Sequence, residues 1–173
     1  MSRQLNISNK LVSIRDRMLV TDSAGHTIYE AAGDFTLFRK TWRVYKGGAQ
    51  VAVIKHKIFS WSSTWLVSGA LGEFKVRRKI FSLTRGYKII GGAYDGTNVS
   101  GSIFGFTFEI IRKGATIASA HDKILTIRDT YMIDVISENS DDELLTVIAL
   151  VALRLDKESE EQAEELQRKK RAD

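Results

Sequence analysis

One phrase recurs along this chain, and it limits the possible folds more than any other feature. Lys10-Leu-Val-Ser-Ile-Arg-Asp-Arg-Met-Leu-Val20, Lys57-Ile-Phe-Ser-Trp-Ser-Ser-Thr-Trp-Leu-Val67, Lys79-Ile-Phe-Ser-Leu-Thr-Arg-Gly-Tyr-Lys-Ile89 and Lys123-Ile-Leu-Thr-Ile-Arg-Asp-Thr-Tyr-Met-Ile133 share one pattern. Each runs Lys, two apolar residues, Ser or Thr, four turn-like residues, then apolar, variable, apolar. The copies at 57 and 79 are 22 residues apart, and the two remaining gaps are about twice that. Each gap holds a degenerate copy, Asp34 to Val44 and Ser100 to Ile110, making six units. A period of this length signals a fold built from repeated supersecondary units.

The unit ends show the type of element. The ninth position is Met18, Trp42, Trp65, Tyr87, Phe108 and Tyr131; the eleventh is Val20, Val44, Val67, Ile89, Ile110 and Ile133. The tenth position, between them, is Leu19, Arg43, Leu66, Lys88, Glu109 and Met132, charged in three of six. Apolar residues two apart around a tolerant position mark a strand with one buried face. The Ser, Thr, Arg, Asp and Gly residues before them suit a hairpin turn, and the first half of each unit reads as the preceding strand. Further turn signals lie between units: Asp22 to Gly25, Lys46 to Gly48, Ser68-Gly69, Tyr94 to Gly96 and Lys113-Gly114. Six strand–turn–strand units give about twelve short strands, a number at which a sheet curls or closes and loses its exposed edges. The chain has no proline, as long hydrogen-bonded hairpins require.

Asp141-Asp-Glu-Leu-Leu-Thr-Val-Ile-Ala-Leu-Val-Ala-Leu153 then breaks the strand pattern. Its three leading acids suit the positive end of a helix dipole. From Leu144 to Leu153 only Thr146 is polar, and a helix apolar all round must be surrounded. The run is too short to cross a bilayer, which takes about 20 residues. The expected fold is therefore all-β: a closed twelve-stranded antiparallel barrel of six hairpin repeats enclosing a C-terminal apolar α-helix. The barrel and its helix are expected over residues 1–153. A charged tail, helical or disordered, is expected over 154–173, carrying Glu164–Arg168 and Glu165–Lys169 pairs at i,i+4.

Six hairpin units followed by a short apolar helix resemble the tubby C-terminal-like superfamily. The repeated Lys-Ile-Phe-Ser…Tyr/Trp-x-Val/Ile phrases resemble its LURP-one-related branch, over Leu5 to about Leu153. The resemblance implies a twelve-stranded barrel around a central helix, in a branch with no established enzymatic activity. It also implies a link to membranes, since tubby-like domains bind phosphoinositide headgroups and phospholipid scramblases are distant relatives. The cysteine-rich segment and terminal transmembrane helix of the scramblases are missing here, and no site residues carry over.

Catalytic signatures are missing too. There is no His-Glu-x-x-His, Walker loop or nucleophile elbow, and His26, His56 and His121 are far apart in sequence. With no cysteine, thiolate metal sites and disulfides are excluded. No enzyme activity, metal or cofactor is expected. Met1 to Lys10 has no apolar run of the signal-peptide kind, so the expectation is a cytoplasmic protein, peripheral at the membrane, without a transmembrane segment.

The distribution of charge points to a partner. The whole chain carries +5, yet the stretch from Phe35 to Tyr94 holds twelve Lys or Arg against one acid, Glu73, a local charge of +11. The remainder is net acidic. Such asymmetry within one domain suggests an anionic partner. Lys55 and Lys57 share a parity in one strand, and Lys75, Arg77 and Lys79 share a parity in another, so each set faces outward from an apolar core. These five are the candidate site for anionic phospholipid or phosphoinositide headgroups, with Arg77 able to offer a bidentate fork. A nucleic-acid-binding or regulatory role, or a scaffold role with an acidic protein partner, is the alternative. Nucleic acid is disfavoured because most aromatics fall at inward positions, leaving Phe38 and Trp61 for stacking.

Overall fold

The computed structural model describes residues 3–8, 17–34, 41–57, 59–80, 86–102, 107–120 and 130–172. Twelve strands follow one another: β1 Arg3–Ser8, β2 Arg17–Thr21, β3 Thr27–Asp34, β4 Thr41–Lys46, β5 Ala49–His56 and β6 Thr64–Gly69, then β7 Phe74–Arg78, β8 Gly86–Ile90, β9 Asn98–Ser102, β10 Thr107–Arg112, β11 Ala115–Ala120 and β12 Thr130–Val135. Each pairs antiparallel with its sequence neighbour. β1 pairs with β12 from Arg3↔Val135 to Ser8↔Thr130, closing the barrel. A long α-helix, α1, runs from Ser140 to Ala172.

The period-two reading locates the inner wall. Of the ninth and eleventh positions, Met18, Val20, Trp42, Val44, Trp65, Val67, Tyr87, Ile89, Phe108, Ile110 and Ile133 are all buried. The side chain of Tyr131 lies outside the described residues. The tenth positions point outward, with Leu66 and Lys88 exposed. The first halves of the repeats differ from expectation. Lys57, Phe59 and Ser60, and likewise Lys79 and Ile80, follow β5 and β7 instead of forming them. The preceding strand in each pair ends just before the Lys. In β5 the Val, Ile and Ala residues suit a half-buried strand, and in β7 Phe74 and Val76 supply the buried face between Lys75 and Arg77. The remaining first halves lie mostly outside the described residues. The turn expected at Ser68-Gly69 also moves: β6 continues through Gly69 and the chain turns at Ala70-Leu71.

The barrel encloses α1. Leu145, Val147 to Ala152 and Leu155 are all but inaccessible to solvent. The helix opens with Asn139 as its cap: its side-chain oxygen accepts from the Asp141 amide at 3.0 Å. Buried Thr146 donates to the Asp142 carbonyl one turn back, which satisfies its hydroxyl. Burial does not stop at Leu153. Asp156 is still buried, and the helix continues unbroken, becoming exposed from Glu161. In that outer part Lys169 meets Glu165 at 2.8 Å.

Carboxylates fasten the helix at both mouths of the barrel. Near its start, the Tyr29 hydroxyl donates to Glu143 at 2.7 Å, and Arg3 and Lys46 approach the same group at 3.0 and 3.3 Å. Beside it, Asp142 accepts from Tyr94 at 2.9 Å and from Ser137 at 2.6 Å. At the far mouth, Asp156 accepts from Tyr87 at 2.5 Å, and Arg78 pairs with both Asp156 and Glu160. From Glu143 to Asp156 is roughly 20 Å of helix at 1.5 Å per residue, which separates the two locks along the helix.

Candidate anion-binding face

Lys55 and Lys75 face outward from β5 and β7, separated by β6, because Leu66 is the cross-strand partner of both. One step nearer the mouth where α1 emerges, Arg77 in β7 lies opposite Lys88 in β8. Lys57 follows β5 and continues its ladder, donating its amide to the Thr64 carbonyl, while Thr64 is itself opposite Arg77. Lys79 likewise extends β7 through a bond to the Gly86 carbonyl. All five expected cations are exposed. They occupy three rows on β5, β7 and the extensions of these strands, Lys55 with Lys75, then Lys57 with Arg77, then Lys79, a patch roughly 10 Å wide and roughly 13 Å deep by sheet spacings. Lys88 belongs to the same patch. Sequence parity within one strand could not reveal it, since it joins through the β7–β8 register.

The twelve basic residues of this segment do not all converge. Arg43 is paired with Asp34, Lys46 with Glu143, and Arg78 with Asp156 and Glu160. Arg39, Lys40 and Arg85 lie outside the described residues. The remaining six, Lys55, Lys57, Lys75, Arg77, Lys79 and Lys88, are exposed and make no ion pair among the described residues. Local acids thus neutralise the cations that hold the barrel together and leave this set uncompensated.

Between the 57–63 connection and the ends of β7 and β8 lies a cleft of ≈ 540 Å³. Lys57, Arg77, Lys79 and Lys88 line it; Lys55 and Lys75 do not. Phe59, Trp61 and Ile80 line it too, with exposures of 92%, 102% and 63%. Trp61 was expected in a turn and open to solvent, as it is. Phe38 lies outside the described residues. Phe59 and Ile80 were not foreseen as exposed, because their phrase reads as strand until the register is known.

Among known proteins, residues 3–153 match the model of the LURP-one-related family. The chain belongs to the LURP-one-related family. No curated protein and no solved structure gives a match. The tubby C-terminal-like superfamily, of which this family is a branch, agrees with the barrel wrapped around its helix. Family and fold are consistent with a non-enzymatic binding module.

The buried acids of this LURP-one-related chain act as fasteners. Burial, reinforced by the Asp142 hydrogen bond, raises the Tyr94 hydroxyl above its ordinary range, and burial with Glu143 does the same for Tyr29. Both phenols therefore stay protonated and keep donating to the helix. His26 sits in the turn with Asp22, and the His56 ring lies tilted against Trp65 with centroids 4.6 Å apart. His121 lies outside the described residues. Among the described residues no cluster of His or acids is grouped to hold a metal, and no helix is long and apolar enough to cross a membrane.

Proposed function

We propose that this protein is a non-enzymatic module that recognises anionic phospholipid or phosphoinositide headgroups at the cytoplasmic surface of a membrane. The face formed by Lys55, Lys57, Lys75, Arg77, Lys79 and Lys88 is the binding surface. The observation that carries the reading is the gathering on one flank of the barrel of six exposed cations with no ion pair among the described residues, while Arg43, Lys46 and Arg78 of the same segment are held by acids. A cation near an anionic leaflet contributes about 1 kcal/mol, declining within a Debye length as salt rises. Arg77 and Lys88, opposite each other on neighbouring strands, are placed to share one phosphate.

The test is binding to vesicles containing phosphatidylserine or a phosphoinositide, with phosphatidylcholine vesicles as the neutral comparison, at low and physiological salt. Lys57→Glu with Arg77→Glu is expected to weaken binding strongly at low salt and less at high salt. Arg17→Glu with Lys113→Glu, off this flank, removes the same total charge and is expected to weaken it little. Equal losses in both pairs would mean that only net charge matters. No binding by the wild type at low salt would overturn the reading and turn attention to RNA, DNA or an acidic protein.

A further inference from the structure

The cations explain attraction to a charged surface but leave Phe59, Trp61 and Ile80 unexplained. We propose that these three side chains are membrane-inserting tips that enter the boundary between headgroups and acyl chains at the edge of the cationic face. This rests on the headgroup reading above and adds depth and orientation to it. The 57–63 connection is built to present its rings. Ser60 and Thr64 share a hydroxyl hydrogen bond at 2.9 Å, and Thr64 donates to the Ser62 carbonyl at 2.9 Å. Ser60 and Ser62 are thereby tied to the start of β6, while Phe59 and Trp61, which alternate with them, stand free in solvent.

Position and chemistry favour a bilayer as the occupant. Lys57 precedes Phe59 by two residues, and Lys79 directly precedes Ile80, so each apolar tip has a cation beside it in the same cleft. Phosphates held by the cations would sit immediately above the rings. Tryptophan, with an apolar body and an N–H to leave in the headgroup layer, suits that depth. α1 leaves through the same mouth, fixed there by Arg78, and its exposed part from Glu161 to Arg171 extends roughly 16 Å. A bilayer therefore cannot cap the mouth squarely. It approaches along the β5–β8 flank, where the tips and cations are.

Intrinsic fluorescence reads this directly. Of the three tryptophans, Trp42 and Trp65 are buried and only Trp61 is exposed. On adding phosphatidylserine vesicles at low salt, wild-type emission is expected to shift to shorter wavelength and to be quenched by brominated acyl chains. Trp61→Phe is expected to keep vesicle binding and lose the shift. Phe59→Ser with Trp61→Ser is expected to weaken partitioning by roughly a hundred-fold, since each buried large apolar side chain is worth about ten-fold. Binding without any shift or quenching would overturn insertion and leave the electrostatic reading standing. Absence of binding would overturn both. A shift that appears with protein concentration and no lipid would assign the tips to contact between two copies and overturn the proposal.

Discussion

Ala149 and Leu150 lie midway along the enclosed part of α1, at 1% and 0% exposure. Leu150→Ala removes buried methyl groups from a helix walled in on every side, where the surroundings cannot collapse to fill the space. Such truncations cost about 2–5 kcal/mol, and with the barrel wall fixed by its ladders about 3 kcal/mol is expected here. For a chain of this size each kcal/mol moves the melting temperature by about 2–4 °C, so the expected fall is about 6–12 °C. Ala149→Asp is harsher. A carboxylate placed there has no partner, and its desolvation costs several kcal/mol against a total stability of about 5–15 kcal/mol. Cooperative folding is expected to be lost. Leu166→Ala, at 60% exposure on the emergent part of the same helix, is the control and is expected to stay within about 0.5 kcal/mol of wild type. Thermal melts followed by far- and near-ultraviolet circular dichroism report all three. A soluble Ala149→Asp protein that melts cooperatively within a few degrees of wild type would refute enclosure of the helix.

Other outcomes follow from the locks and the tail. Deleting residues 162–173 removes helix that is exposed from 162 to 171, and the melting temperature is expected to fall by less than about 2 °C, whereas ending the chain at Leu155 also removes Asp156 and Glu160 from Arg78 and is expected to lower it clearly. Burial alone would raise the Glu143 carboxyl, but hydrogen bonds from Tyr29 and Arg3 and the charge of Lys46 outweigh it and hold the group below its ordinary value of 4.5. A depressed carboxylate gives stability that is complete above the unfolded value and lost as pH falls through the folded one. Denaturant melts of wild type are therefore expected to lose stability more steeply below pH 4.5 than those of Glu143→Gln, and parallel profiles would show that Glu143 does not carry the acid limb.

Much of the barrel was legible because its signal is local. Met18 and Val20, or Trp65 and Val67, are two residues apart and reveal their shared face without reference to any other strand. Counting six such ends gives the strand number, and the uninterrupted apolar run gives the helix that fills the barrel. Information that depends on distant partners was not legible. The strand start before Lys57 and Lys79 depends on where the ladder ends, and the repeated phrase marks the connection instead. The same limit applied to the site. Parity placed Lys55, Lys57, Lys75, Arg77 and Lys79 outward, but Lys88 joins them only through pairing with Arg77. Conversely, Arg78 and Lys46 look like part of the basic surface until their acids arrive from 82 and 97 residues away.

The central functional claim is that the β5–β8 flank, tips and cations together, is what meets an anionic bilayer. Hydrogen–deuterium exchange of the full chain, with and without phosphatidylserine vesicles, tests that without presupposing any residue. New protection is expected to concentrate in peptides covering residues 57–63, 74–80 and 86–90, with the opposite wall at β1 and β12 unchanged. Protection centred on another part of the barrel, or the same exchange pattern with bound vesicles as without, would contradict it.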